Sequence, residues 1–220
     1  MKKEILKTSD GSNTLFVPEL DETYHSTHGA LQEALHVFIR EGLQFLPQLK
    51  KVSILEVGFG TGLNALLSLI EADNTNRKIQ YTSLEAFPLD WEVVEQLNYM
   101  DLVSSDYNAA LFKEMHTCDW ESFSDINTSF RLRKLKVKLQ EVSFENEFDI
   151  IYFDAFAPQV QPDLWTEQIF ASMYKALKPN GILVTYCAKG IVKRALKSVG
   201  FNLQSIPGPP GKREMSRGVK

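Results

Sequence analysis

A chain of 220 residues is long enough for one sizeable domain with a real core and too short for two typical enzyme domains. Hydrophobic residues make up 44% and charged residues 24%, the balance of an ordinary soluble globular protein, and no apolar run approaches the roughly 20 residues of a bilayer-spanning helix. The start, MKKEILKTSDGSN, is basic but has no apolar stretch behind it, so it does not read as a secretory signal, and a cytoplasmic location is expected.

Cys118 and Cys187 stand in no CxxC or other metal-ligand spacing and read as free thiols. Net charge is −4, spread unevenly. Residues 189–220 hold eight Lys or Arg against Glu214, a local +7, which leaves −11 on the other 188 residues. A basic end on an acidic body is a candidate phosphate-contacting surface, with a solvated charged face as the equal alternative.

In chain order, TLFVPELDETYHSTHGALQEALHVFIREGLQFL reads as a strand or hairpin around 14–24 and a helix over 29–46. KVSILEV (51–57) is the first core strand, GLNALLSLIEA (62–72) a helix, KIQYTSLEA (78–86) a strand and LDWEVVEQLNYM (89–100) a helix. LKVKLQEV (135–142) alternates as a half-buried strand should, and the basic run RLRKLKVK is its solvent face. FDIIYFDAF (148–156) is a strand, TEQIFASMYKALK (166–178) a helix, PNG (179–181) a turn and GILVTYCA (181–188) a strand. GIVKRALKSVG is a short helix closed by Gly200, and FNLQSI a final strand. Strands alternating with helices predict an α/β fold with a largely parallel sheet.

Three glycines, Gly58, Gly60 and Gly62, follow the first core strand and lead at once into a helix that begins Leu63-Asn64. Glycine permits positive φ and close backbone approach, and a helix N-terminus offers free N–H groups, so this turn is a candidate ligand cradle that also includes Phe59, Thr61 and Asn64. The dinucleotide fingerprint wants a third glycine where Leu63 stands. The next strand ends at Glu85, 23 residues beyond Gly62, in place to accept hydrogen bonds from ribose hydroxyls. Glu56 is expected at the same pocket edge, where a carboxylate suits an ammonium or sulfonium better than a pyrophosphate. S-adenosylmethionine has both cations and no phosphate. Asp154 terminates the apolar IIYFD beside the turn, where it can accept the hydrogen bond of a reacting amine and take up its proton.

The stretch FDIIYFDAFAPQVQPDLWTEQIF, with Asp154-Ala155-Phe156-Ala157-Pro158 and then Pro162-Asp163-Leu164-Trp165, resembles the DUF752 methyltransferases. That family includes the N-terminal half of the bifunctional tRNA wobble-uridine enzyme MnmC. DETYHSTHGALQEALHVF, LEVGFGTGLN, SLEAFPL and GPPGKREMSRG are similar to its other motifs, in the same order. The resemblance implies a class I, Rossmann-like fold with a mostly parallel seven-stranded sheet. An N-terminal extension (1–50) is expected to pack on a methyltransferase domain (51–220), one structural domain overall. It implies methyl transfer from S-adenosylmethionine to the amine of 5-aminomethyl-(2-thio)uridine in tRNA. Gly58, Gly60 and Gly62 would line the methionine and ribose side, Glu85 the ribose, and Asp154 the amine. The acidic residue that relatives place near adenine is missing; Gln140, Glu141 or backbone amides are the replacements.

Tyr24, Phe156, Trp165 and Lys189 are expected near the substrate, the aromatics as flat surfaces for an extruded base or as core. Lys212, Arg213 and Arg217, on the Pro/Gly turn PGPPGKREMSRG, form a candidate phosphate clamp. His25 would roof the pocket or simply pack. His28, His36 and His116 show no ligand spacing, so no metal is expected. No second cofactor turn fits into the chain, so no FAD is expected, and tRNA bearing the carboxymethylaminomethyl group should stay untouched. The rival readings are an NAD oxidoreductase, disfavoured by Leu63 and Glu56, a silent RNA-binding module, opposed by Asp154 beside an intact turn, and methylation of another amine.

Overall fold

The computed structural model describes residues 2–103, 107 and 109–220. A small antiparallel sheet, β1 (Glu4–Lys7), β2 (Asn13–Val17) and β3 (Glu22–Thr23), leads into α1 (Ala30–Ala34), which continues as a π-helical stretch, Leu35–Arg40. Then come β4 (Lys51–Val57), α2 (Leu63–Thr75), β5 (Lys78–Leu84), the one-turn helices α3 (Trp91–Val94) and α4 (Tyr99–Leu102), and α5 (Ala109–Thr117). They are followed by β6 (Phe123–Asp125), β7 (Phe130–Leu135), β8 (Phe148–Phe153), α6 (Glu167–Ala176), β9 (Leu177–Thr185), α7 (Gly190–Ser198), β10 (Asn202–Pro207) and β11 (Glu214–Val219).

The main sheet has eight strands in the order β10-β11-β9-β8-β4-β5-β7-β6. Its five central strands, β9 to β7, are parallel, while β11, β10 and β6 are antiparallel additions at the two ends. Strand residues alternate between two buried faces. Ile54, Tyr81, Ile150, Tyr152 and Val184 pack with α1, α2 and α5, whereas Leu55, Val57, Phe153 and Leu183 pack with α6 and α7. Both faces are covered, as a parallel sheet requires. The chain leaves β4 toward β5 and β7, then returns to place β8 on the other side of β4, so the direction of winding reverses there. Open α/β sheets bind ligands in the crevice at the carboxyl ends beside such a reversal.

Local chemistry accounts for the helices that frame this point. α6 starts at Thr166, whose hydroxyl accepts from the Ile169 N–H, and carries Glu167 in its first turn and Lys175 in its last, in accord with the helix dipole. α7 buries Val192, Ala195 and Leu196 on one stripe and stops before Gly200, at φ 107°. Among the described residues no helix is long and apolar enough to cross a membrane.

Several expected elements differ. The strand near 135–142 is instead β7, because the β5 ladder it pairs with ends at the Leu84↔Leu135 pair; beyond it Leu139–Glu141 form a 3-10 turn and Leu139 packs on the second core. PNG is a bulge inside β9: Pro179 has no N–H for the ladder, Asn180 takes φ 64°, and pairing jumps from Phe148↔Leu177 to Ile150↔Ile182. The helix over 89–100 breaks into α3 and α4, with Leu97 buried between them. The helix over 29–46 changes to π pitch at Leu35. β6, the eighth strand, has three residues. Most consequential, the basic end enters the sheet as β11, with Met215, Ser216, Arg217 and Gly218 buried between β9 and β10.

Candidate active site at the carboxyl ends of the parallel strands

A cavity of about 1260 Å³ opens over the ends of β4, β5 and β8. Its floor is the glycine turn. Gly58, Gly60 and Gly62 all have positive φ, at 91°, 50° and 73°, the conformation that glycine adopts without strain. The Gly58 N–H donates to Leu84 O at 2.9 Å, and the Gly60 N–H donates to Glu85 Oε2 at 3.0 Å. Glu85 also accepts from the Phe87 N–H, so its carboxylate braces the turn from the end of β5 while lining the cavity. Gly62 is the N-cap of α2 and has no side chain to offer, which leaves the first N–H groups of that helix without a side-chain cap.

Asp154 stands one residue beyond β8 and lines the cavity; its Oδ2 accepts from Asn64 Nδ2 at 2.8 Å. Burial pushes its carboxyl up to about 7, Glu33 adds to the rise, and the Asn64 hydrogen bond and Lys212 oppose it. Phe59, Thr61 and Asn64 line the same cavity as expected, while Gly62 lies behind it. Glu56 corrects the expectation. It is fully buried, does not line the cavity, accepts from Ser83 Oγ at 2.7 Å, and burial pushes it up to about 8. A group that is mostly protonated at neutral pH repels no pyrophosphate, so that part of the case against dinucleotides falls.

The extension forms the roof. The Tyr24 ring lies across the turn, 3.2 Å from where a Gly60 Cβ would be, and meets Phe156 edge-on at 5.1 Å. Burial pushes the Tyr24 hydroxyl up to about 12. His25 sits 3.5 Å from both Thr14 Oγ1 and Thr61 Oγ1, tying the small sheet to the turn; burial lowers it to about 4, so it is neutral.

The remaining candidates separate. Phe156, Lys189 and Lys212 line the cavity. Trp165 does not: it is 4% exposed, packs at 5.0 Å against Phe153 and donates Nε1–H to Phe156 O at 2.8 Å, so it supports the loop from the core side. Arg213 is exposed and outside the cavity. Arg217 is 7% exposed, bonded to Glu41 at 3.1 Å and stacked at 3.5 Å on Phe45. Lys212 is paired with Glu33 at 2.5 Å. The three cations do not form a clamp, because two of them are consumed by carboxylates as the hairpin docks. Gln140 lines the cavity and Glu141 does not. Glu33 and Tyr186, both on the cavity wall, were not singled out by sequence; the one available signal was an acid among the apolar residues of ALQEALHVF. Among the described residues no three His, Cys, Asp or Glu side chains are grouped to hold a metal.

Residues 101–220 match a family model described as S-adenosyl-L-methionine-dependent methyltransferase. The chain belongs to this family. The methyltransferase is 29% identical over 217 residues to the tRNA 5-methylaminomethyl-2-thiouridine biosynthesis bifunctional protein MnmC of Magnetococcus marinus, covering 94% of this chain and 32% of that protein. It is 30% identical over 216 residues to the protein of the same name from Cupriavidus necator, covering 91% and 32%. It therefore spans about a third of the length of these curated relatives. The crystal structure of MNMC2 from Aquifex aeolicus superposes with a TM-score of 0.75 at 26% identity, covering 99% of this chain and 70% of that one. Spermidine synthase from Thermotoga maritima shares the fold alone, at TM-score 0.55 and 16% identity over 100% of this chain and 71% of that one.

The methyltransferase's residues fit the methyl donor its family uses. Asn64 Oδ1 is a buried acceptor with no hydrogen-bond partner among the described residues, and it stands in the first turn of α2, whose leading N–H groups have no side-chain cap. Together they suit the ammonium and carboxylate of an amino-acid moiety.

Proposed function

We propose that the methyltransferase transfers a methyl group to the amine of 5-aminomethyl-(2-thio)uridine at the wobble position of tRNA, giving 5-methylaminomethyl-(2-thio)uridine. The observation that carries this reading is the Asp154 carboxyl at the strand end, beside the glycine turn and poised near 7. The names of the relatives that align over more than nine-tenths of the chain supply the acceptor. The cavity, about 1260 Å³, exceeds the roughly 300–1,000 Å³ of a site for one small ligand, leaving room for donor and acceptor together.

When bound, S-adenosylmethionine supplies an electrophilic methyl carbon on a sulfonium. Gly58, Phe59, Gly60, Thr61 and Asn64 would hold its amino-acid and ribose side, Glu85 would take the ribose hydroxyls, and Gln140 would reach the base. The acceptor amine attacks only as the neutral species. Asp154 would accept an N–H hydrogen bond from it, orient its lone pair toward the methyl donor, and take up the proton that the amine gives up on methylation. Tyr24 and Phe156 offer aromatic walls to the extruded base. The backbone phosphates fall to rim lysines instead of the hairpin: Lys3, Lys136, Lys138 and Lys189 line the cavity and, among the described residues, form no salt bridge.

In this reading residues 1–50 cover the domain formed by 51–220, the reaction takes place on cytoplasmic tRNA, and it needs neither flavin nor metal. The test is to incubate the 220-residue chain with S-adenosylmethionine and tRNA bearing either the aminomethyl or the carboxymethylaminomethyl form, and to weigh the digested nucleosides. A gain of one methyl group on the aminomethyl form alone is expected. Product from the carboxymethylaminomethyl form, or methylation of small amines with tRNA untouched, overturns the reading.

A further inference from the structure

The extension and the β10–β11 hairpin come from distant parts of the chain and meet along one seam. His36 Nε2 lies 2.9 Å from Pro207 O, and Arg217 Nη1 donates to the Glu41 carbonyl and carboxylate, each at 3.1 Å. Gly211 takes φ 82° so tightly against His28 that a Cβ there would fall 2.2 Å from the ring. At the cavity end of the seam, Lys212 Nζ contacts Glu33 Oε1 at 2.5 Å and stands 3.9 Å from the centroid of the Tyr186 ring. The Tyr186 hydroxyl donates to the carbonyl of Ala155, the residue after Asp154, at 2.9 Å. Glu33 Oε2 accepts from the Ser26 N–H at 2.9 Å, so both of its oxygens are engaged.

We propose that Glu33 and Lys212 are positioning residues for methyl transfer: the pair clamps the Tyr186 ring and, through the Ala155 carbonyl, the strand end that presents the Asp154 carboxylate to the acceptor amine. This rests on the reaction assigned above. The geometry makes the ammonium a part of the cavity wall and not a phosphate ligand. It is held by a carboxylate that is 8% exposed and by an aromatic face, and a cation so placed gains most where water is scarce. The same placement supplies a positive charge beside Asp154. The other groups facing Asp154 are Glu56 from β4, Tyr81 from β5, Asn64 from α2 and Tyr186 from the end of β9; none is positive. With Lys212 removed, Glu33 is left as an unpaired carboxylate next to the group that must lose a proton.

The test uses Lys212→Met, Lys212→Arg and Glu33→Gln with wild type, all confirmed folded by their melting curves. The ionisation of Asp154 is followed by carbon NMR of labelled aspartate, its signal assigned with Asp154→Asn. Lys212→Met should move the Asp154 titration to higher pH, lower kcat at pH 7 by roughly tenfold and move the acid limb of the kcat profile the same way. It should leave the salt dependence of tRNA binding unchanged. Glu33→Gln should move the titration downward, and Lys212→Arg, which keeps the charge over the ring, should restore most of the rate. An Asp154 titration unmoved by Lys212→Met overturns the proposal, as does a lower salt slope with kcat intact, which would make Lys212 a phosphate ligand. The NMR readout needs no acceptor, so a wild type that fails to methylate tRNA would sink the assigned reaction while the titration still decides the pair.

Discussion

The cavity's two sides are made in different ways. The glycine-turn side is assembled from residues close together in sequence, 57–64 and 85, on strands that pair in register, Glu56↔Ser83 and Val57↔Leu84. The seam side is assembled from residue 33 of the extension, residues 155 and 186 after β8 and β9, and residue 212 of the hairpin. Local geometry shapes the first, where glycine conformation and a helix terminus suffice. The second exists only when distant segments dock, and it carries Glu33 and Lys212, the two charges that act in opposite directions on Asp154. A cofactor site can be written in a short motif, whereas a site for the second substrate is a property of the closed fold.

The largest effect expected from breaking either side falls where they meet. Asp154→Ala should lower methyl transfer by about 10²–10⁴-fold, the usual range for a positioned acid or base, while calorimetric titration finds donor affinity within about tenfold of wild type. An unchanged rate would remove the catalytic role; complete loss of donor binding would make Asp154 a binding residue.

Next comes the turn side. Gly60→Val forces a branched side chain onto φ 50° and against the Tyr24 ring, so donor affinity should fall by roughly 100-fold or more, with the melting transition still cooperative. Normal affinity for S-adenosylhomocysteine would mean that the donor does not lie on this turn.

A third effect separates the sides by pH. Glu56 and Asp154 sit at about 8 and about 7, against ordinary values of 4.5 and 3.8, so between those limits the folded chain holds more protons than the unfolded one. Their contribution to stability is full below the ordinary values and is lost as pH rises through about 7 and 8. The melting temperature of the ligand-free protein should therefore fall from about pH 5 to about pH 8.5, and Glu56→Gln should flatten that fall. Methyl transfer should run the opposite way, rising with pH as Asp154 loses its proton. A melting temperature that climbs over the same interval would show that these carboxyls are charged in the fold.

The smallest pair of effects sorts two aromatic residues. Trp165→Phe loses the hydrogen bond to Phe156 O and should cost about 1 kcal/mol of stability in denaturant titration, with tRNA affinity preserved in the folded fraction. Phe156→Ala should instead weaken tRNA binding, by about 1 kcal/mol or more if a base stacks on the ring. Equal losses of tRNA affinity in both variants would return Trp165 to the binding surface.

Much of this was legible in the sequence because it is local. The glycine turn, Glu85 after β5 and Asp154 after β8 follow from apolar strands, of which β4 ends where expected and β5 and β8 end two and three residues early. Glu56 was misplaced because period-two reasoning gives the face of a strand but not its depth; Ser83 and α2 close over it. Lys212 and Arg217 looked like a free basic surface because their partners, Glu33 and Glu41, lie far away in the chain. β7 was displaced by several residues because the alternation continues past Leu135, and only the end of its partner strand stops the pairing. Trp165 and Phe156 are equally aromatic in sequence; which of them meets the cavity is decided by the turn around Pro162.

β11 is the last strand of the sheet in chain order, yet it lies inside it, bonded to β9 on one side and β10 on the other. During synthesis the ribosome delivers every other strand before this one. Until it arrives, β9 presents an open, apolar edge and β10 has no neighbour, the condition under which nascent chains pair wrongly or recruit chaperones. The same late insertion brings Lys212 to Glu33. The glycine turn and its strands can form before β11 is made, but the wall facing the acceptor is finished only once β11 docks, so competence for chemistry arrives with the closing of the sheet.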